Sequence, residues 1–283
     1  MKKTAYRVAK HMLNPILGRK QFQFMFAELY LSALQGKNIG IIGKPQESGE
    51  LNAIKYFLKN SPNNKKLIIF DVGANVGDFS KTILNSLGSR EALIYCIEPS
   101  QYTFKQLQNN LKDSKVSLHN LGFGDECEKL MLFYEQEGSG LASVFKRRLD
   151  HIGLNMNLSE EVKIITLDSF CLQNELKHIS YLKIDAEGNE FNILKGAERM
   201  LNDGAIDYIQ FEFGGCNIDS RTFFRDFYYL LNDNYQIYRI LKNGLYSIKE
   251  YSEFEEIFVT SNYLAQRRNI GFEISNKIGN RSG

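Results

Sequence analysis

The segment LIIFDVGANVGDFS, residues 67–80, constrains the fold more than any other stretch of this chain. An apolar strand-like run enters a turn at Gly73 and Gly77, and a helix follows. The glycines allow a sharp backbone reversal and a close approach that a Cβ would obstruct. The helix start offers free N–H groups and the positive end of its dipole. A strand that turns on glycine into a helix opens a parallel α/β unit with a nucleotide-sized cradle at its carboxyl edge. The same glycines also suit a purely structural turn. The dinucleotide pattern Gly-x-Gly-x-x-Gly is absent, because the loop reads Gly-Ala-Asn-Val-Gly, and no P-loop lysine follows it.

The alternation continues along the chain. ALIYCIEP at 92–99 and VSLHNLGFG at 116–124 read as strands, with helices predicted over 77–87 and 101–112. A polar excursion follows, in which KLMLFYEQ and VKIITLDSF bracket the Gly-rich EGSGLASV, and it reads as a hairpin-like insertion over the sheet edge. The series resumes with YLKIDAEG at 181–188, a helix over 190–202, IDYIQFEFGG at 206–215 and a helix over 220–232. NYQIYRIL, GLYSI and EIFVTSN lack helical spacing and predict terminal antiparallel strands. Upstream, QFQFMFAELYLSAL is apolar on more than one side, and Ser48 is placed to cap the amphipathic SGELNAIKYFLKN. The turn-forming NSPNNKK separates this lead-in from the α/β series. The expected organisation is a helical extension over 1–60, one ligand-binding α/β domain over 61–264 and a polar tail over 265–283.

Bulk properties narrow the function. A net charge of +2 is too mild to imply nucleic acid. Cys96, Cys127, Cys171 and Cys216 form no Cys-x-x-Cys pair, which suggests reduced structural cysteines in a cytoplasmic protein rather than zinc or a disulfide framework. The basic start is broken by Lys10, Pro15 and Arg19, unlike a secretory signal, and no apolar run is long enough to span a bilayer. Lys2, Lys3, Arg7, Lys10, Arg19 and Lys20 precede the first acid, Glu28. They suit a solvated helix face, or alternatively peripheral contact with an anionic membrane surface or an anionic acceptor.

Three acidic positions carry the chemistry. Glu98 ends the strand after the glycine turn, where an acid accepts both hydroxyls of a ribose; the alternative is a solvated acid at a strand end. YLKIDAEGNEFNILKGA delivers Asp185, Glu187 and Glu190 at one strand terminus. Such acids repel one another unless solvent, a cation or a positive ligand offsets them. Glu190 alternatively serves as a first-turn helix acid, with Lys183 or Lys195 pairing another carboxylate. Glu212, in FEFGG, lies at the corresponding end of the next strand.

FDVGANVGDFS, IEPS, LKIDAEGNEFNILKGA and FEFGG, in this order, resemble the FkbM family of S-adenosylmethionine-dependent methyltransferases over roughly residues 48–262, SGE at 48–50 included. The resemblance implies a Rossmann-like class I methyltransferase fold, α/β with a mostly parallel seven-stranded sheet and an antiparallel terminal strand. It places Asp71, Gly73, Asn75 and Gly77 around the methionine portion of S-adenosylmethionine and Glu98 on the ribose. Asn120 to Asp125 would face the adenine, with Phe123 stacking on the base or else lying in the core, and Asp125 accepting from the amino group. The implied reaction is O-methylation of a sugar, glycan or polyketide-like acceptor.

Methyl transfer to a hydroxyl needs in-line positioning and a proton acceptor, for which Asp185, Glu187 and Glu212 are the candidates. His119 is a further one, although a strand histidine with apolar flanks is usually core. A divalent metal held by the carboxylates would be an alternative activator. The competing functions are a nicotinamide-dependent oxidoreductase, disfavoured by the missing dinucleotide pattern and the unexplained acids, and a non-catalytic S-adenosylmethionine-binding scaffold.

Overall fold

A computed structural model of the chain describes residues 11, 13–41, 43 and 45–268. It divides into two compact units, Met1–Gly40 and Ile41–Gly283. In the smaller unit the main element is the helix Gln23–Gly36, preceded by a short turn of 3-10 helix over Lys20–Phe22.

The larger unit is built on eleven strands: β1 Leu67–Val72, β2 Ala92–Ile97, β3 Val116–His119, β4 Gly122–Phe123, β5 Glu128–Tyr134, β6 Leu158–Ile165, β7 Tyr181–Ile184, β8 Tyr208–Phe213, β9 Tyr235–Leu241, β10 Gly244–Ile248 and β11 Ser261–Arg267. Eight of them form one sheet in the order β10-β9-β11-β8-β7-β1-β2-β3. From β8 to β3 every pairing is parallel, as expected of strands that are near-continuous runs of Val, Ile, Leu, Phe and Tyr. β11 runs antiparallel between β8 and β9, and β10 adds as a hairpin to β9. The seven-stranded plan with its reversed member is therefore present, extended by one edge strand.

Side-chain alternation along the strands fills two cores. Leu67, Ile69, Ile94, Tyr181 and Tyr208 face one side and pack with helices Glu50–Asn60, Asp78–Ser86 and Gln101–Asn110. Phe70, Val72, Tyr95, Leu182, Ile184 and Phe211 face the other, packed against helices that include Leu167–Gln173 and Phe224–Leu231. Helix Glu50–Asn60 is thus part of the sheet's covering layer, with Ala53, Ile54 and Phe57 at 0% exposure, and the division between units falls at Gly40 rather than at residue 60.

Two further boundaries differ from the sequence reading. The helix expected over 190–202 is two short helices, Glu190–Lys195 and Glu198–Asn202. At the break, a Cβ on Gly196 would lie 2.0 Å from the Gly124 carbonyl oxygen, so the chain can pass only as glycine. The last strand begins at Ser261 and runs to Arg267, into the stretch read as tail; Tyr263, Leu264 and Ala265 are buried between two partner strands. The remainder of that tail beyond Arg268 lies outside the described residues. The polar excursion forms a second, three-stranded sheet, β4-β6-β5, in which β5 and β6 pair antiparallel as the hairpin-like reading expected. No helix among the described residues is long and apolar enough to cross a membrane.

Candidate active site

The chain proceeds from β1 outward through β2 and β3, then returns to place β7 and β8 on the opposite side of β1. The carboxyl ends of β1 and β7 are therefore a topological switch point, where α/β sheets leave a crevice. A cavity of about 730 Å³ opens there, walled by the β1 turn, Glu98, Asp185, Glu187 and Glu212, and closed on one side by Ser139–Val144 and Arg147 from the loop between β5 and β6.

The turn after β1 is fixed by backbone bonds. Gly73 and Ala74 N–H groups donate to the Ile97 carbonyl at 2.9 and 3.0 Å. Gly73 adopts φ +75°, and a Cβ there would lie 1.7 Å from the Asp185 carbonyl oxygen, so glycine is demanded by the crossing of two chain segments at the cavity wall. Asn75, at φ +48°, also reaches the cavity. Gly77, at φ +92° just before the next helix, needs the left-handed backbone that glycine adopts freely, and a Cβ there would also crowd the Leu111 and Leu107 side chains at 2.8 and 2.9 Å. Asp71 is wholly buried beneath the turn, accepting from Ser80 Oγ at 2.7 Å with Lys183 Nζ 3.6 Å away.

Glu98 ties β2 to this turn. Its Oε2 accepts from the Asn75 N–H and its Oε1 from the Ser100 N–H, both at 2.9 Å. Burial pushes its carboxyl up to about 7, and the two backbone donors oppose that rise. Each oxygen keeps a further lone pair for a ligand hydroxyl.

Asp185, Glu187 and Glu212 each offer a carboxylate oxygen, and these atoms lie within 4.8 Å of one another. β7 and β8 are parallel neighbours, so their carboxyl ends bring the acids together from distant sequence. Lys183, one turn of the pleat below Asp185, bonds to its Oδ2 at 3.1 Å and is held firmly protonated by Asp185, Asp71 and Glu50 despite burial. Glu187, at φ +50°, is turned inward onto the guanidinium of Arg147, while Ser143 Oγ donates to its carbonyl at 2.7 Å. Burial and Asp185 push the Glu187 carboxyl up to about 8 against the pull of Arg147. Burial first, then Asp185 and Glu187, raise Glu212 well above the ordinary carboxylate range. Because Asp185 and Glu187 each already pair with a buried cation, the cluster is largely neutralised by the chain itself and does not demand a metal ion.

Glu190 stands apart from these three. Fully buried, it accepts from the N–H groups of Ala186 at 2.8 Å and Gly188 at 3.0 Å, stapling the turn after β7, which is the helix-start role left open by the sequence. On the adenine side, Phe123 reaches the cavity wall, but its ring is 2% exposed and packs 5.4 Å from Phe170 and 6.2 Å from Phe70, so it lies in the core instead of offering a face for stacking. Asp125 stands off the cavity, paired with Lys195 at 2.6 Å. His119 is half-buried, bonds to Ser117 at 2.9 Å and packs on Phe170, so its partners are structural.

Sequence reasoning missed Arg147. Its guanidinium is 8% exposed between Glu187 and Asp219, and it lies in a loop with no periodicity to reveal its direction. The only signal was composition: a cluster of acids requires a cation, and the polar insertion held unassigned ones.

A family model described as the methyltransferase FkbM domain matches residues 71–248. "Methyltransferase 1" of Beauveria bassiana is 26% identical over 146 residues, covering 46% of this chain and 58% of that protein. The hexuronic acid methyltransferase AglP of Haloferax volcanii is 24% identical over 153 residues, covering 54% and 58%. The chain therefore spans less than two thirds of the length of these curated relatives. Similar solved structures include a methyltransferase FkbM from Methylobacillus flagellatus KT, at 14% identity, TM-score 0.40 and coverage of 83% of this chain and 58% of that one. The plantazolicin methyltransferase BpumL in complex with SAH is similar at 12% identity, TM-score 0.42 and coverage of 79% and 86%.

Proposed function

The chain belongs to the FkbM methyltransferase family, and from that premise we propose that it moves the methyl group of S-adenosylmethionine to a hydroxyl of a sugar, glycan or polyketide-like acceptor. The observation that carries this reading is the convergence of Glu98 and the Asp185, Glu187 and Glu212 carboxylates on one cavity at the switch point. In this reading the backbone at Gly73 to Asn75 meets the methionine portion, and Glu98 accepts from the ribose hydroxyls. The cluster holds three acids against the two cations Lys183 and Arg147, and an adjacent sulfonium would favour the ionised forms of Glu187 and Glu212. The relative that methylates a hexuronic acid supports an acceptor of the sugar type.

In the transfer step the acceptor oxygen attacks the methyl carbon in line. The new O–C bond forms as the C–S bond breaks, the electron pair goes to sulfur, and S-adenosylhomocysteine leaves. The hydroxyl proton passes to a carboxylate. Glu187, with its carboxyl near 8, and Glu212, raised well above the ordinary carboxylate range, have the basicity a proton acceptor needs. Asp185, held on Lys183 at 3.1 Å, stays beside them and raises both. No step requires a metal, so a chelator should leave turnover unchanged.

Calorimetric titration with S-adenosylmethionine, followed by S-adenosylhomocysteine release with hydroxyl, amine and carboxylate acceptors, tests the reading. Tight binding with turnover only on hydroxyl acceptors is expected. Binding without turnover on any of them would favour the scaffold alternative, and binding of NADH in preference would favour the oxidoreductase.

A further inference from the structure

The helix Gln23–Gly36, QFMFAELYLSALQG, has one charged residue in its 14. Glu28, Ser32 and Gln35 fall at i, i+4 and i+7 and make one narrow polar stripe; most of the remaining circumference is apolar. These apolar residues are uncovered: Phe24 is 79% exposed, Leu29 51%, Tyr30 57% and Leu31 53%, and Leu34 is the helix's one buried residue. Large side chains exposed side by side in this way mark an interaction surface.

Charge identifies the kind of partner. Residues 1–40 carry seven of the chain's 35 Lys and Arg and one of its 33 Asp and Glu, a balance of +6 against −4 for the remainder. Arg19 and Lys20, beside the helix start, are exposed. An anionic bilayer surface satisfies both properties, taking the apolar circumference into the headgroup and acyl boundary while its charge attracts the basic residues. A second copy would cover the apolar helix but set two strongly basic segments against each other. Nucleic acid would meet the charge and leave the apolar face in water. At about 1.5 Å per residue the helix is roughly 21 Å long, short of the roughly 30 Å hydrocarbon core, so it would lie along the surface.

We propose that residues 1–40 dock this protein on an anionic lipid surface, with helix Gln23–Gly36 buried in the interface and its Glu28 stripe toward water. Flotation of the full chain with vesicles tests it, using phosphatidylcholine alone or phosphatidylcholine with about a third phosphatidylglycerol. Partition onto the anionic vesicles should exceed that onto neutral ones by roughly tenfold or more and fall as salt screens the attraction. Phe24→Glu with Leu31→Glu, and separately Arg19→Gln with Lys20→Gln, should each lower partition by roughly tenfold with an unchanged thermal transition, because these side chains are exposed. Equal binding to neutral and anionic vesicles overturns the proposal, as does wild-type partition by both variants. So does sedimentation showing a dimer that the Phe24→Glu, Leu31→Glu pair dissociates when no vesicle is bound, or retention on duplex DNA without binding to vesicles.

Discussion

At the scale of single residues, Glu98 joins the ribose role proposed for it to a structural one that the sequence did not show. In the fold it accepts from the N–H groups of Asn75 and Ser100. Glu98→Ala should therefore weaken S-adenosylmethionine binding by about 1.5–3 kcal/mol, for lost charge-assisted bonds, and also cost about 1–3 kcal/mol of stability for the donors left unsatisfied. Glu98→Gln, which keeps an acceptor oxygen, should recover most of the stability and less of the affinity; calorimetry and thermal melts separate the two losses. Unchanged affinity in both variants would remove Glu98 from the site. In the acidic cluster, Glu187→Gln or Glu212→Gln should slow methyl transfer by something like 10²–10⁴-fold while shifting cofactor affinity less. A base must be ionised to act, so with Glu187 in that role the wild-type rate should rise with pH toward its value of about 8, and Glu187→Gln should lose that limb of the profile. Full turnover in both variants would make the acids structural. These carboxylates were legible because motif and strand end coincide; Arg147 was not, because its direction is set by tertiary contacts with Glu187 and Asp219.

At the scale of elements, the parallel strands were legible from their apolar runs, since burial on both faces leaves few other sequences workable. β11 was harder to place: its end at Gln266 and Arg267 is polar, and its extent follows from pairing with β8 and β9 across long loops, which local pattern does not encode. Glycine roles were legible as turns but not as contacts. Gly73 yields to the Asp185 carbonyl and Gly77 to Leu107 and Leu111, whereas the sequence suggested room for a ligand. Gly73→Val should then fail through the fold: about 1–2 kcal/mol for a side chain in the left-handed region, plus about 1–3 kcal/mol of overpacking where β1 and β7 leave the sheet. A lowered thermal transition accompanying the loss of S-adenosylmethionine binding is expected. A variant that melts like the wild type yet no longer binds would instead put the glycine against the ligand.

At the scale of the whole molecule, the cavity gathers more acid than base, and that imbalance makes a prediction about pH. Buried carboxyls ordinarily near 4.5 are pushed up to about 7 at Glu98 and Glu190 and about 8 at Glu187, with Glu50 and Glu212 also raised. A group whose folded value is raised keeps its proton longer in the folded chain than in the unfolded one. Between pH 4.5 and about 8 the folded protein therefore binds more protons, and its stability falls as pH rises through that window. His119, lowered by burial, acts in the opposite sense below its ordinary 6.5, but it is one group against several. Lys183, raised from 10.5, is charged in both states across the window and contributes no slope there. The ligand-free thermal transition should consequently drop by several degrees between pH 5.5 and 8. In the proposed site S-adenosylmethionine brings a positive sulfonium to the Asp185, Glu187 and Glu212 cluster and favours its ionised forms, so by linkage its affinity should increase over the range in which stability declines. Melts at matched pH with and without saturating S-adenosylmethionine should show the ligand-induced rise growing from pH 5.5 to 8, and S-adenosylhomocysteine, which lacks the sulfonium charge, should show a flatter dependence. An equal pH dependence for the two ligands would mean that the acids do not face the sulfonium, and the role of the cluster would then lie with the acceptor alone.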